Sequence, residues 1–324
     1  MLYILMEKRT LVKSGASSFT IALPINWVRK NKLEKGSEVS LEENEVGDIL
    51  IHAELESFFK KQEYYTIKVT PENLDLLYWE LLRAYLKNYS TINLEGDNIS
   101  IIANPILQRL NNFIGLDIIE QTKNVIVLKN FSLSDTETTP YSLLKKVDVG
   151  VRAMIEDLKK FFLHGFHHEN VAELKAQNEY NERVYLFSMK LINNIINIPS
   201  LMRVFKTDYK QLLREHTIIN TMRQISLHIS MIGKLLLFVE HTSKSSKYIE
   251  GMLDSTYQKY RIVISAPKNP LSTDMLDLLR DSEEKIKKWG SYLKEIKNPS
   301  IIEIISSFIV INTLLDQLSL SLVF

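Results

Sequence analysis

The chain has 324 residues, of which 45% are apolar and 24% charged, a composition typical of a globular protein with two or three domains. The formal net charge is +1, which excludes a strong overall attraction to nucleic acid or to an acidic membrane, so any basic surface must be local. The absence of cysteine excludes disulfides, thiolate metal sites and cysteine nucleophiles, and it fits a reducing compartment.

The first fifty residues predict two short β-hairpins separated by a one-turn helix. A β-type run breaks at a small polar loop at 14–18, resumes through Leu23 and stops at Pro24, whose fixed φ suits the first turn of a helix. After a turn at 33–36, two further strands are predicted around 39–41 and 49–51. A segment this small buries too little apolar surface to fold alone, so we expect a second copy to complete it.

The same segment has an uneven charge distribution. Residues 1–33 hold six basic side chains against the single acid Glu7. Positive charge at the strand ends of a dimeric β domain is typical of contact with a phosphate backbone. On composition alone, a solvated face balanced by the acidic residues at 34–45 is an equally good interpretation.

The residues 13–28, Lys-Ser-Gly-Ala-Ser-Ser-Phe-Thr-Ile-Ala-Leu-Pro-Ile-Asn-Trp-Val, followed by Leu-Glu-Lys-Gly-Ser-Glu-Val at 33–39, resemble the AbrB/SpoVT swapped-hairpin domain. The resemblance is to the version that opens archaeal PhoU-like phosphate-uptake regulators, and it covers about residues 6–52 of a domain assigned to 1–52. It implies an interleaved homodimer whose basic strand and loop residues contact DNA. The DNA-contact candidates on this chain are Lys8, Arg9 and Lys13, with Ser17 and Ser18 as lesser candidates.

Residues 64–130 predict a small α/β domain, preceded by a linker helix at 53–63. Strands are expected at 65–69, 91–94, 117–121 and 125–128, with helical stretches from Pro71 and over 99–113. The order βαβαββ favours a ferredoxin-like or ACT-like layer of helices on one sheet, and we expect a structural spacer. The first of these helices is predicted to have a broad apolar side formed by Leu74, Leu77, Trp79, Leu81, Leu82 and Tyr85.

Residues 140–324 show only helical periodicity, which predicts an all-α domain. Six helices are expected, the third as one long helix over 201–238, and a break at residue 243 divides them into repeats at about 140–242 and 243–324. The apolar tract 301–324 is interrupted by Glu303, Asn312, Asp316 and Gln317, so we predict a buried bundle helix and no membrane insertion. This pair of three-helix bundles, after a hairpin domain and an α/β layer, resembles the PhoU fold.

The PhoU resemblance implies acidic pairs at i and i+4 that hold a metal cluster, but the first repeat departs from that pattern. Asn178 replaces an acid before Glu182, and the next helix reads Arg223 to His228 without its acids, so we expect no multinuclear cluster there. Exposed helix charges are the preferred interpretation of Asp277, Asp281 and Asp316. His164, His167, His168 and Glu169 are close enough in sequence to bind a metal, but a solvated or helix-capping role at a loop between helices is the preferred interpretation.

No catalytic motif is found, so the sequence does not favour an enzyme, and no metal or other cofactor is expected. We expect a cytoplasmic, homodimeric, DNA-binding transcriptional regulator linked to phosphate uptake, since the charge of the amino terminus follows its apolar run, the reverse of a secretory signal. A phosphate transporter or a phosphate-signalling protein is the expected further partner. The alternative is a PhoU-like adapter that controls a phosphate transporter by direct contact and uses the hairpins only for dimerisation.

Overall fold

The computed structural model describes residues 8–43, 47, 49–53, 64–102, 107–131, 138–198, 200–239, 243–265 and 273–321. The chain forms two compact units, residues 1–60 and residues 61–324. The described residues are rich in helix, and the small β-sheets that they contain lie within the first 130 residues. The linker helix predicted at 53–63 falls outside the described residues, except for Ala53, which ends a strand.

The first unit contains two antiparallel hairpins separated along the chain by a short helix, as predicted. The first hairpin pairs β1 (Val12–Ser14) with β2 (Ser18–Thr20), α1 is Ile25–Lys30, and the second hairpin pairs β3 (Val39–Glu43) with β4 (Ile49–Ala53). Gly15 begins the first turn with a φ of 80°, in the left-handed region that glycine adopts without steric cost. Strand β2 ends earlier than predicted, and Pro24 precedes α1 instead of being its first helical residue.

Apolar side chains of this unit face solvent. Every residue of β1 and β2 is exposed and α1 contains no buried residue. Phe19, Leu41 and Ile49 are 65%, 66% and 68% exposed, and Ala53 is the one buried apolar residue among the described residues of the unit. A single copy of these hairpins therefore has almost no hydrophobic core, which agrees with the expectation that the segment is incomplete alone.

The second unit begins with a four-stranded sheet in the order β5-β6-β8-β7. The strands are β5 (Tyr64–Lys68), β6 (Thr91–Glu95), β7 (Leu116–Gln121) and β8 (Val125–Asn130), with α2 (Leu74–Leu86) between the first two and α3 (Ile99–Ile102) after β6. Strands β5 and β6 are parallel, and the other two neighbouring pairs are antiparallel.

The predicted layer of helix on sheet is present, but its strand order is not ferredoxin-like or ACT-like. In a split βαβ unit another strand separates the two parallel strands, whereas here the α2 crossover joins direct neighbours. The stretch expected to be helical over 99–113 is described as the single turn α3 and a 3₁₀ segment at Gln108–Asn112.

Helix α2 buries a narrower stripe than the sequence predicted. Leu77, Leu81 and Tyr85 pack with the sheet residues Ile92 and Leu128 in one core. Trp79 is 63% exposed, because a residue two positions from Leu77 and Leu81 lies on the opposite side of a helix. The assignment of Trp79 to the apolar side of α2 is therefore wrong.

Long helices form the remainder of the chain. They are α4 (Pro140–His164), α5 (His168–Asn197), the short α6 (Ser200–Val204), α7 (Tyr209–Leu236), α8 (Ser243–Ser265), α9 (Thr273–Leu293) and α10 (Pro299–Ser321). Thr139 caps α4 by accepting a hydrogen bond from the Ser142 backbone N–H at 3.0 Å, and Pro140 opens the helix. The single helix predicted over 201–238 is interrupted, since α6 ends at Val204 and Asp208 caps α7 through the Gln211 N–H at 2.7 Å.

The helices pack as two triplets, α4 with α5 and α7, and α8 with α9 and α10. One hydrophobic core runs through both triplets, because α7 packs along α10 and α4 contacts α8. Three long helices lie before residue 243 and three after it, within one unit that also contains the α/β layer. The division into repeats at 140–242 and 243–324 stays a prediction. A contiguous core of this kind makes the two triplets depend on each other for stability.

Helix α10 is the one described helix long and apolar enough to cross a membrane, with 23 residues and a mean hydropathy of 1.6. One side of the helix belongs to the shared core through Ile304, Ile305, Phe308, Ile311, Leu315 and Leu318, whereas Val310 and Leu320 are 40% and 57% exposed. Asn312 donates a hydrogen bond to Thr256 of α8 at 2.8 Å and Asp316 contacts Lys259 of α8, so these two polar interruptions have partners inside the bundle, while Glu303 and Gln317 are exposed. This packing agrees with the prediction of a buried bundle helix.

Gly150 of α4 is required by the side chain of Asn181 on α5. A Cβ atom at position 150 would lie 2.1 Å from Asn181 Oδ1, and Asn181 is fully buried and donates to Ser226 Oγ at 3.1 Å. We expect Gly150→Ala to lower the free energy of unfolding by about 1–3 kcal/mol, because the amide must leave its buried partners. Urea unfolding measures the change.

The matched control is Gly251→Ala on α8, where no atom lies within 4 Å of the added methyl group. This substitution should raise the free energy of unfolding by about 0.5–1 kcal/mol, because alanine is the better helix former. Equal effects of the two substitutions would contradict the close packing of α4 on Asn181.

Candidate nucleic-acid interface

The first hairpin positions one of the predicted basic residues next to an aromatic side chain. Lys13 pairs directly with Phe19, so both side chains project from the same face of the hairpin. Ser14 pairs with Ser18 one position further along, and this pair therefore projects from the opposite face. The register thus places Lys13 and Ser18, both DNA-contact candidates, on opposite faces of the hairpin.

Lys8 and Arg9 lie in the irregular segment that leads into β1, and both side chains are exposed. Lys13 is also exposed, so all three predicted cations are accessible to a large ligand. Their position before and within β1 puts positive charge along the entry of the hairpin. Such an arrangement suits a flexible, charge-based contact with phosphates more than the reading of individual bases.

The two serines differ in what they can offer. Ser17 is exposed in the turn, whereas the Ser18 hydroxyl donates to the Ser14 carbonyl oxygen within the hairpin. A phosphate oxygen is an acceptor, so Ser18 could serve it only after giving up this internal hydrogen bond. Ser17 remains the better candidate of the two.

Further cations lie at the carboxyl end of α1. Arg29 and Lys30 occupy its last turn and are exposed, and Lys32 follows with a φ of 53°. Cations at this end of a helix also complement its dipole, so they have a local role apart from any ligand. The six basic residues of 1–33 therefore lie in two places, three before or within β1 and three at the end of α1.

The acidic positions of the first triplet contain an internal cation instead of a metal-binding arrangement. Arg223 Nε donates to Glu182 Oε2 at 2.6 Å, and its guanidinium lies 4.9 Å from the centre of the Tyr185 ring. Asn178 Oδ1 accepts a hydrogen bond from Ser226 Oγ at 2.9 Å. The Arg223 side chain is 37% exposed, so this ion pair is half-buried.

The acids singled out in the second triplet do not converge. Asp277 and Asp281 are exposed and lie near the cations of their own helix, Arg280 at 3.8 Å and Lys285 at 2.6 Å. Asp316 of α10 instead contacts Lys259 of α8 at 2.6 Å. Within the described ranges, no group of three or more histidine and acidic side chains is placed to hold a metal ion.

The histidines between α4 and α5 are part of the helix ends. His164 Nδ1 lies 2.8 Å from the Lys160 carbonyl oxygen, and the His167 backbone N–H donates to Asn170 Oδ1 at 2.8 Å. Because the Asn170 side chain satisfies an N–H at the start of α5, this loop has the capping geometry that the sequence favoured.

A buried charge cluster in the second triplet was not predicted. Lys259 Nζ donates to the Asn312 carbonyl oxygen at 2.8 Å and to Ser282 Oγ, and it lies 2.6 Å from Asp316. Burial lowers the pKa of the Lys259 ammonium from its ordinary value of 10.5, and the Asp316 carboxylate opposes that shift. The cluster joins α8, α9 and α10, which indicates a structural role.

Comparison of the chain with protein-family models, with curated proteins and with solved structures gave no match. A functional assignment therefore depends on the chemistry of the side chains themselves. Within residues 8–53, the exposed basic side chains and the exposed apolar side chains are the features that favour binding to another molecule.

Proposed function

We propose that the chain is a homodimeric, DNA-binding transcriptional regulator linked to phosphate uptake. The observation that carries the proposal is the coincidence, within residues 8–53, of accessible cations and apolar side chains that a single copy leaves in solvent. The first feature is typical of a phosphate-backbone contact, and the second is typical of a surface covered by another protein chain.

The dimer is the first element of the proposal. Two copies of the hairpins that interleave, as in an AbrB/SpoVT-like domain spanning residues 1–52, would cover Phe19, Leu41 and Ile49. Burial of apolar area of this kind contributes roughly 25 cal/mol per Å², so several such side chains would supply a core that one copy lacks. This pairing also explains why the segment has strands but almost no buried residues.

The DNA contact follows from the dimer. Pairing the hairpins doubles the number of cations contributed by Lys8, Arg9 and Lys13, so several phosphates are neutralised at once. The net charge of the whole chain is only +1, so the attraction is a property of this surface and not of the protein as a whole.

The helical triplets would receive the signal. In this proposal residues 140–324 are a PhoU-like domain of a cytoplasmic protein, and residues 64–130 act as a spacer. The six long helices in two triplets support this assignment, since they match the expected architecture of two three-helix units. A phosphate transporter or a phosphate-signalling protein is the proposed partner of this part.

A gel-shift titration with the full-length protein tests the DNA role. The probe is a duplex from the region upstream of the protein's own coding sequence, and the control is a scrambled duplex of equal length and composition. We expect both duplexes to be bound at about 50 mM salt, where electrostatic association is strong, and the upstream duplex to be bound more tightly. Absence of any duplex binding at that salt would remove the DNA role, and the adapter with dimerising hairpins would take its place.

A further inference from the structure

An exposed tryptophan lies at a groove on the second unit. Trp79 lies on the outer side of α2, where 63% of its surface is in solvent. A large aromatic side chain is costly to leave in water, and tryptophan is characteristic of surfaces that bind a ligand or a partner.

The groove lies between α2 and α5 and has a volume of about 480 Å³. Trp79, Arg83 and Lys87 line it from the α2 side, Asn193 and Asn197 line it from α5, and two leucines of α2 complete the lining. This volume is within the range of about 300–1,000 Å³ that small-ligand sites occupy.

The two walls are held together at one end of the groove. Asn88, with a φ of 59°, follows the carboxyl end of α2 and donates from Nδ2 to Asn194 Oδ1 of α5 at 3.3 Å. The core of the α/β layer also includes Leu186 of α5, so the layer packs directly on this helix. The groove is therefore formed by elements of one compact unit and does not require a moving part to exist.

The spacing of the α2 residues that line the groove places an aromatic side chain and two basic side chains in one row. Trp79, Arg83 and Lys87 are each four residues apart, so they follow one side of α2 over about 12 Å at a rise of about 1.5 Å per residue. The cations are at the end of this line away from Trp79, and none of the residues that line the groove is acidic. Asn193 and Asn197 are also four residues apart and face the groove from α5.

We propose that this groove binds an adenine nucleotide, with the base stacked on Trp79, the phosphates on Arg83 and Lys87, and the edge of the base on the amides of Asn193 and Asn197. Aromatic side chains stack on the flat face of a base, and an asparagine amide both donates to and accepts from an adenine edge. Arginine and lysine are the side chains that hold phosphate groups. The site is separate from the hairpins, so it does not depend on the DNA-binding proposal.

Isothermal titration calorimetry of the full-length protein with ADP tests the site. We expect saturable binding by the wild type, and weaker binding of adenosine and of inorganic pyrophosphate, because each of these offers only one half of the contacts. Trp79→Leu and the double variant Arg83→Gln/Lys87→Gln should each weaken ADP binding at least ten-fold. The corresponding controls are Tyr180→Leu and Lys175→Gln, which change exposed side chains of α5 outside the groove and should leave binding unchanged.

Two results would overturn the proposal. One is the absence of ADP binding by the wild type at millimolar ligand, including the case in which an acidic helical peptide binds the groove in its place. The other is ADP binding that both groove variants retain at wild-type affinity, which would place the nucleotide elsewhere. All the substitutions are at exposed positions, and circular dichroism of each variant verifies that the helices are intact.

Discussion

Replacing Asp316 with alanine is expected to lower the free energy of unfolding by about 3–5 kcal/mol, because the substitution leaves the buried ammonium of Lys259 without its counter-charge. The Lys259 side chain is only 3% exposed, and its remaining hydrogen-bond partners, Ser282 Oγ and the Asn312 carbonyl oxygen, carry no net charge. The exposed Asp281 carboxylate acts on the Lys259 ammonium more weakly than Asp316 does. Denaturant unfolding at neutral pH measures the loss.

The pH dependence of this loss has a definite sign. Burial lowers the pKa of Lys259 in the folded protein below the 10.5 of an exposed lysine, and removing the Asp316 carboxylate removes the interaction that opposes the shift. Between the folded and the unfolded pKa the unfolded chain binds more protons, so the stability of the variant rises with pH. The deficit of Asp316→Ala relative to wild type should therefore shrink between pH 7 and pH 10.

Two further variants separate the buried charge from simple loss of contacts. The double variant Lys259→Met/Asp316→Leu removes both charges, and it should be far closer to wild type than Asp316→Ala is. Glu283→Ala breaks an exposed pair with Lys287 on α9, away from Lys259, and should have little effect on stability. A cost of Asp316→Ala as small as that of Glu283→Ala would contradict the buried pair.

Local signals in the sequence predicted the helical part well. Pro140 and Pro299 stand at helix starts, and the apolar stripes between them predicted the long helices that the structure contains. The break before α7 was missed, although Asp208 followed by Gln211 is a recognisable capping pattern. The strong periodicity on both sides of residues 204–209 concealed that signal.

The sequence did not predict which strands are neighbours or which side chains meet across helices. Nothing in the periodicity distinguishes a β5–β6 neighbour pair from a split pair, because the choice depends on how the α2 crossover packs. Lys259 and Asp316 lie on different helices, and each alone looks like an ordinary helix charge. Trp79 was misplaced because an apolar residue in an amphipathic segment is assigned to the core by default.

The hairpin shows the same division between local and long-range information. The turn at Gly15 and the two flanking strands follow from residue types, so Lys13 and Ser18 could be placed near that turn. Their separation onto opposite faces depends on the register, which the turn geometry sets and a one-residue shift would reverse. The apolar exposure of the unit appears only in three dimensions, since alternation alone does not say what covers each face.

Neutralising Arg9 and Lys13 together, as Arg9→Gln/Lys13→Gln, should weaken duplex binding and flatten its dependence on salt. Each phosphate contact contributes about 0.9 to the slope of log affinity against log salt, so a dimer that loses four contacts should lose about 3.6 from that slope. The loss should be nearly the same for the upstream duplex and the scrambled duplex, because phosphate contacts carry no sequence information. Fluorescence anisotropy titrations between about 50 and 200 mM salt measure both quantities.

A control variant must show that the weaker DNA binding comes from lost contacts at the hairpin and not from the lower net charge of the protein. Lys175→Gln/Arg280→Gln removes the same charge from exposed positions on α5 and α9, outside the hairpin unit, and should leave the slope unchanged. Lys13 shares a hairpin face with Phe19, which the proposed dimer covers, so light scattering must first show that both variants keep the oligomeric state of wild type. If the two double variants flatten the slope equally, the cations of the hairpin have no special role and the attraction to DNA is a general property of the protein surface.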